Sequence, residues 1–387
     1  MRRHPTTTAV MKRWRAALFG SWLATIVLLS ACAAAPTRTD ELLARLRPPG
    51  PPPSDDGGVY ADLLTELGRE DLVDATRAKA EPCRPLVRAG VLVDPLAEIV
   101  RRARDAQVVI INEAHDQPRG RVFIEAVARR LRPLGFDLYA AEAFAPSIGR
   151  HGPKYPLVSD GYYVNEPVYG ALVRALRALK YELISYEWFP PPGAQQVTEV
   201  SAGINRDDEG MAELLMARIF RPHPRARVLI HVGYSHAREV AQDDIHWLAL
   251  RLKQKTGIDP LTVDQTSFGP AGDRYVACAA DRDGAALDTA FDLQIMPPAL
   301  QLERGRPVYR LAGGGKPIAM PAKLRRPRER VLVEAHRADE PDSAVPIDRI
   351  LLEADDDLPL ILPRGRYRVR ARPVKASWST SVMLEAP

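Results

Sequence analysis

Cysteine is scarce, with three in 387 residues, at Cys32, Cys83 and Cys278. No pair stands in a Cys-x-x-Cys spacing, which excludes a zinc ribbon and a thioredoxin-like redox site, and without Cys-x-x-Cys-His there is no covalent haem attachment. An excess of one charge is missing as well, once residues 1–31 are set aside. Arg2, Arg3, Lys12, Arg13 and Arg15 account for the whole formal +5, so the remainder is formally neutral. The pI near 9.1 therefore belongs to the leader, and nucleic acid is excluded as a partner. A membrane-spanning run is also lacking, because the apolar stretch 16–29 falls short of the ~20 residues a bilayer needs.

What is there begins with a leader in three parts: a basic stretch, the apolar segment, and Leu29-Ser30-Ala31-Cys32. In that order the parts read as a bacterial lipoprotein signal peptide, residues 1–31, with Cys32 becoming the lipidated first residue that anchors the protein to a membrane. An uncleaved anchor is the alternative. Alanine after Cys32, rather than aspartate, points to the outer membrane, periplasmic side, of a bacterial envelope. Residues 32–58 read as a tether, since Arg47-Pro-Pro-Gly-Pro-Pro-Pro-Ser-Asp-Asp-Gly-Gly58 holds neither a helix nor an inner strand and would lift the domain off the membrane. That compartment permits disulfides, so Cys83 and Cys278 form a bridge or remain free buried thiols.

Residues 59–80 carry apolar positions at helical spacing and predict one or two short amphipathic helices. Asp94-Pro95 predicts a capped helix to about residue 104. Strands are expected near 107–112, 137–142, 181–187, 226–233 and 260–264, alternating with helices near 120–133, 166–179, 206–220 and 237–255. The fold class is α/β, a helix-covered, mainly parallel sheet over 59–284. Residues 285–387, with frequent prolines and short alternating runs, read as a β-rich C-terminal appendage. Edge strands extending the main sheet are the alternative.

Two apolar runs end in histidine, Gln107-Val-Val-Ile-Ile-Asn-Glu-Ala-His115 and Arg227-Val-Leu-Ile-His-Val-Gly-Tyr-Ser-His236. Such runs are strands buried on both faces, and ligands of open α/β sheets bind outside the carboxyl ends of the strands. Glu113, His115, Glu142, Glu187 and His236 all fall there. Imidazole and carboxylate in one pocket can hold a divalent metal, zinc or manganese, or activate water. The plainer reading is that strand-end charges are solvated or paired, and that His231, inside its strand, is a hydrogen-bonded core histidine.

In order along the chain, Asn112-Glu113-Ala114-His115-Asp116, Ala141-Glu142-Ala143-Phe144, Arg206-Asp207 with Met211-Ala212, and Gly233-Tyr234-Ser235-His236 resemble the blocks of the Tiki and haem-binding-uptake superfamily. That superfamily includes ChaN-like lipoproteins, TraB/GumN-like proteins and erythromycin-esterase-like enzymes, and the likeness spans about residues 94–265. It implies Glu113, His115, Glu142 and His236 as the site, the four already chosen from the strand ends, with Arg206 facing an anionic group or transition-state charge. Asn112 departs from the family's usual glycine, but asparagine tolerates left-handed backbone, so a turn is expected there.

Two functions follow. In the first, the protein is a metal-assisted or histidine-based hydrolase of a peptide or ester. Glu113 and Glu142 with one histidine, His115 or His236, hold a metal or orient water, the other histidine is the general base, and Arg206 stabilises the oxyanion. In the second, the protein binds haem or another iron compound non-covalently through a tyrosine or histidine at a pocket mouth, with Tyr155, Tyr162, Tyr163 and Tyr234 as candidates. A scaffold with a decayed site is a third option.

Overall fold

In a computed structural model the described residues are 37–46, 58–74, 81–279, 289–326, 328–376 and 379–387. The leader, Cys32 and most of the proline-rich spacer lie outside them. Three helices open the described chain, α1 (Arg38–Arg45), α2 (Val59–Glu66) and α3 (Glu70–Asp74). A short hairpin, β1 (Val87–Arg88) and β2 (Val91–Leu92), leads to α4 (Pro95–Ala103). As expected, the Asp94 carboxylate caps α4 by accepting from the Ala97 N–H at 2.7 Å, with Pro95 in the first turn.

The α/β part then runs β3 (Val108–Glu113), α5 (Arg119–Leu131), β4 (Leu138–Ala141), α6 (Pro167–Ala178), β5 (Glu182–Ser185), α7 (Val200–Leu215), β6 (Val228–Gly233), α8 (Leu248–Thr256), β7 (Leu261–Asp264), β8 (Val276–Ala277) and β9 (Leu293–Met296). These strands form one seven-stranded sheet in the order β5-β4-β6-β3-β7-β9-β8. All neighbours are parallel except β8 against β9. Each of β3, β4 and β6 is buried along its whole length, because α4, α5 and α6 cover one face and α7 and α8 the other. The chain leaves β3 for β4 and β5 and returns to lay β6 between β3 and β4. The carboxyl ends of β4, β6 and β3 are thereby neighbours, the arrangement that makes a crevice.

Two helices differ from expectation. Helix α7 begins at Val200, where the Glu199 carboxylate caps the Ala202 N–H. Helix α8 begins only at Leu248, because Asp243 takes a left-handed backbone and Gln242 and Ile245 bond each other across it, a turn that the Asp-Asp pair favours.

Beyond β9 come β10 (Leu302–Glu303), β11 (Arg306–Pro307), β12 (Lys316–Ile318), β13 (Val331–Arg337), β14 (Asp348–Leu352), β15 (Leu360–Leu362), β16 (Gly365–Pro373) and β17 (Thr380–Ala386). The C-terminal region has its own antiparallel sheet, β14-β13-β16-β17. The alternative reading holds for β9 alone, which joins the main sheet beside β7. One face of the antiparallel sheet, carrying Val333, Ile350 and Val369, packs with Met320, Leu324, Leu360 and Leu362. The other, carrying Leu332 and Leu351, is covered by Leu42 of α1 and Tyr60, Leu63 and Leu64 of α2. Each buried leucine contributes roughly 1.5–3 kcal/mol, so α1 and α2 are fixed to this sheet. Residues 38–45, read as tether, are therefore a docked helix. A disulfide joins Cys83 to Cys278 with Cα atoms 5.6 Å apart, tying the strand-8 end to the segment before α4. No helix among the described residues is long and apolar enough to cross a membrane.

Candidate functional site

Glu113 ends β3 and lies beside Gly233 of β6. Its buried carboxylate receives Arg121 Nε at 2.7 Å and Nη2 at 3.0 Å, a two-pronged pair made possible because α5 starts just past the strand exit. Burial alone raises Glu113, but Arg121 and the two nearby histidines overcome it and hold the carboxyl well below the usual range. Arg121 also donates to the His115 carbonyl at 2.8 Å and to Glu166 at 3.0 Å.

His115 Nδ1 lies 3.3 Å from Glu113 Oε1. An ionised carboxylate can only accept, so the proton belongs on Nδ1 and the Nε2 edge points away from it. The ring stacks on Tyr163 at 3.9 Å and meets Tyr234 edge-on at 5.1 Å. A Cβ on Gly233 would stand 2.7 Å from His115 Nε2 and 3.5 Å from Glu142 Oε2. Glycine is thus what lets the ring lie over the end of β6, next to Glu142.

Glu142 follows β4, and its Oε2 accepts the Gly233 N–H at 2.9 Å. Its Oε1 lies 3.8 Å from Nε2 of His236. On the far side, Nδ1 of His236 forms an ion pair with Asp208 at 2.6 Å. Asp208, in the middle of α7, is fully buried. Burial pulls His236 down, but Asp208 and Glu142 outweigh it and push the imidazole up to about 9, while burial raises Asp208. Glu187, past β5, is pushed up to about 7 by burial, with the charge of Glu142 adding.

Helix α2 covers the opposite side. Its Thr65 hydroxyl donates to the Asp116 carbonyl at 3.2 Å. Asp62 lines a narrow cavity with His115, Arg121 and Tyr163, and burial raises its carboxyl to about 7 although the Arg121 charge opposes this.

Glu113, His115, Glu142 and His236 are thus adjacent around the ends of β3, β4 and β6. Arg206 is elsewhere occupied: it pairs with Asp207 at 3.1 Å and lies over the Trp188 ring. Asp208, two positions on and on another side of the same helix, is the residue that reaches His236. Asn112 is not in a left-handed turn either. It is an interior strand residue whose amide donates to Tyr234 O and Asp264 Oδ1, both at 2.7 Å, and whose Oδ1 accepts the Gln265 N–H at 2.8 Å. The left-handed residue is Tyr234, with φ 40°, a conformation costing on the order of 1 kcal/mol or more and held in place by Asn112.

The expected metal ligands do not fit a metal. Both Glu113 oxygens are committed to Arg121, and among the described residues no group of three or more His, Cys, Asp or Glu side chains is arranged to hold an ion. Of the tyrosines, Tyr163 and Tyr234 wall in His115, while Tyr162 is 41% exposed and accepts a hydrogen bond from Arg45 at 2.7 Å. Sequence reasoning missed Arg121, Asp208 and Asp62. It placed His231 correctly in the core, where Nδ1 is 2.8 Å from the Tyr139 hydroxyl, but not its Nε2, 3.4 Å from Glu113.

No family model matches the chain, and no curated protein does. Solved structures with a similar arrangement include the type III effector HopBA1, at 14% identity and TM-score 0.33, covering 57% of this chain and 98% of that one. A structure described as bacterial protein toxins matches at 10% identity and TM-score 0.32, covering 46% of this chain and 38% of that one. The haem-binding protein ChaN of Campylobacter jejuni, described with cofacial haem, is similar at 13% identity and TM-score 0.36, covering 54% of this chain and 94% of that one.

Proposed function

We propose that the protein is a histidine-based hydrolase of an ester or peptide, held in the bacterial envelope through lipidated Cys32. One observation carries this reading: two imidazoles, each backed by a buried carboxylate, stand at the Glu142 corner of the site, His236 with Nε2 3.8 Å from Glu142 Oε1 and His115 over Gly233, whose N–H Glu142 accepts. Their environments separate their roles. His236, raised to about 9, carries a proton at neutral pH and is the general acid for the leaving group. His115, with Nδ1–H directed at Glu113, keeps its Nε2 edge over Gly233, where it takes the proton of a water attacking the carbonyl carbon. Each role contributes typically 100-fold or more. The test is turnover of a panel of aryl esters and short peptides by His115→Ala and His236→Ala, with thermal melts to confirm folding. Losses of about 100-fold in each are expected, and full turnover in a folded His115→Ala protein rejects the reading.

Non-covalent haem binding is a second reading, favoured by Tyr162. Its exposed phenol accepts from Arg45 and has Arg38 over its ring at 5.1 Å, which places a side chain of iron-ligand type at the surface beside cations that suit haem carboxylates. A Soret shift on adding haem to wild type, lost in Tyr162→Phe, supports it; no shift removes it.

A further inference from the structure

We propose that Arg310, supplied by the C-terminal region, is a positioning residue for the site, acting on His115 through Glu166, Arg121 and Glu113; this rests on the hydrolase reading above. The link is a buried row of alternating charges. Arg310 donates through Nη2 to Glu166 Oε1 at 3.2 Å and through Nε to Glu70 Oε1 at 2.7 Å. Glu166 passes the link on, since its Oε2 accepts Arg121 Nη1 at 3.0 Å. Arg121 closes on Glu113, whose Oε1 faces His115 Nδ1. The side chains of Arg310, Glu166, Arg121 and Glu113 are all at most 4% exposed, so none of these charges is satisfied by water.

The row constrains where Arg121 sits. Glu166 competes with Glu113 for the Arg121 guanidinium, and it also accepts the Val168 and Tyr169 N–H groups that start α6. While Arg310 neutralises Glu166, Arg121 can give Glu113 both of its prongs. Without Arg310, Glu166 and Glu70 are left buried with less counter-charge, and a buried uncompensated charge draws strongly on the nearest cation. That cation is Arg121. Its displacement toward Glu166 frees Glu113 and releases the hold on the His115 Nδ1 proton and on the His115 carbonyl.

The experiment compares Arg310→Met and Arg310→Lys in the full chain with Arg330→Met, which breaks the half-exposed pair of Arg330 with Glu353 in the same region. Nitrogen chemical shifts of the His115 imidazole report which nitrogen carries the proton, whether or not a substrate is known. Arg310→Met is expected to move the His115 nitrogen signals and to lower kcat about 10-fold with KM unchanged. Arg310→Lys, which keeps the charge and loses the fork, gives a smaller change of the same sign and is the fallback if the methionine variant does not fold. Arg330→Met changes neither. Unmoved His115 signals in folded Arg310 variants overturn the proposal even if esters are hydrolysed. Moved signals in a protein that hydrolyses nothing retain the link and overturn only the hydrolase reading.

Discussion

Glu113 and Asp208 are both buried carboxylates facing an imidazole, at 3.3 and 2.6 Å, and they differ in what else they hold. Glu113 already has a cation in Arg121, so its charge is neutralised before His115 is counted and its service to that histidine is orientation. The nearest cation of Asp208 is His236 itself. The carboxylate therefore keeps the imidazole charged, pushed up to about 9. In the proposed reading the same residue pair yields a base on one side and an acid on the other, and a third group decides which.

The largest way to break that contrast is Arg121→Met. It strands Glu113 in a site 2% exposed, and removing one partner of a buried pair costs about 3–5 kcal/mol. Urea midpoints should fall accordingly, and a loss under 1 kcal/mol would mean Glu113 is not held as an anion. Next comes Asn112→Gly. It leaves the Gln265 N–H without its acceptor and frees the Tyr234 turn between the two histidines, so a loss of about 2–3 kcal/mol is expected. An unchanged midpoint would show that the side chain's bonds are dispensable.

Strand-end histidines and carboxylates were legible because β3, β4 and β6 are uninterrupted apolar runs and parallel strands deliver their ends to one edge. The C-terminal sheet was legible from its alternation, β9 was not, since four residues joining a distant sheet leave no local pattern. Arg121 and Asp208 stayed hidden for another reason. Each sits inside an amphipathic helix among other charged residues, where solvated charges are the rule, and only packing shows which one faces inward. Asp62 lies some fifty residues before the first strand exit, and nothing in its helix says that α2 folds back over His115. Asn112 was noticed as a departure but given a backbone reason, whereas the structure uses its amide.

Asp208→Asn sharpens the contrast through pH. His236 binds its proton more tightly folded than unfolded, so its contribution is complete below about 6.5 and is lost as pH rises through about 9. Wild-type stability should decline across that window. In Asp208→Asn the decline flattens, and the variant's deficit at pH 6 should exceed that at pH 9 by about 1–2 kcal/mol. Equal deficits in urea melts at both pH values would deny Asp208 its hold on the proton.

The smallest effect belongs to Asp62, which faces His115 and Arg121 alongside Asp116 and Glu113. Its carboxyl is raised from 3.8 to about 7, so the folded state gains a proton relative to the unfolded one, and stability is lost as pH rises from about 4 through 7. Asp62→Asn removes that loss. The variant should match wild type only below about pH 4 and exceed it by about 1 kcal/mol or more at pH 8, as read from thermal midpoints. A variant less stable than wild type at pH 8 would instead mean that the charged Asp62 is a true partner of His115, making α2 a third carboxylate-bearing wall of the site rather than a cover lying over it.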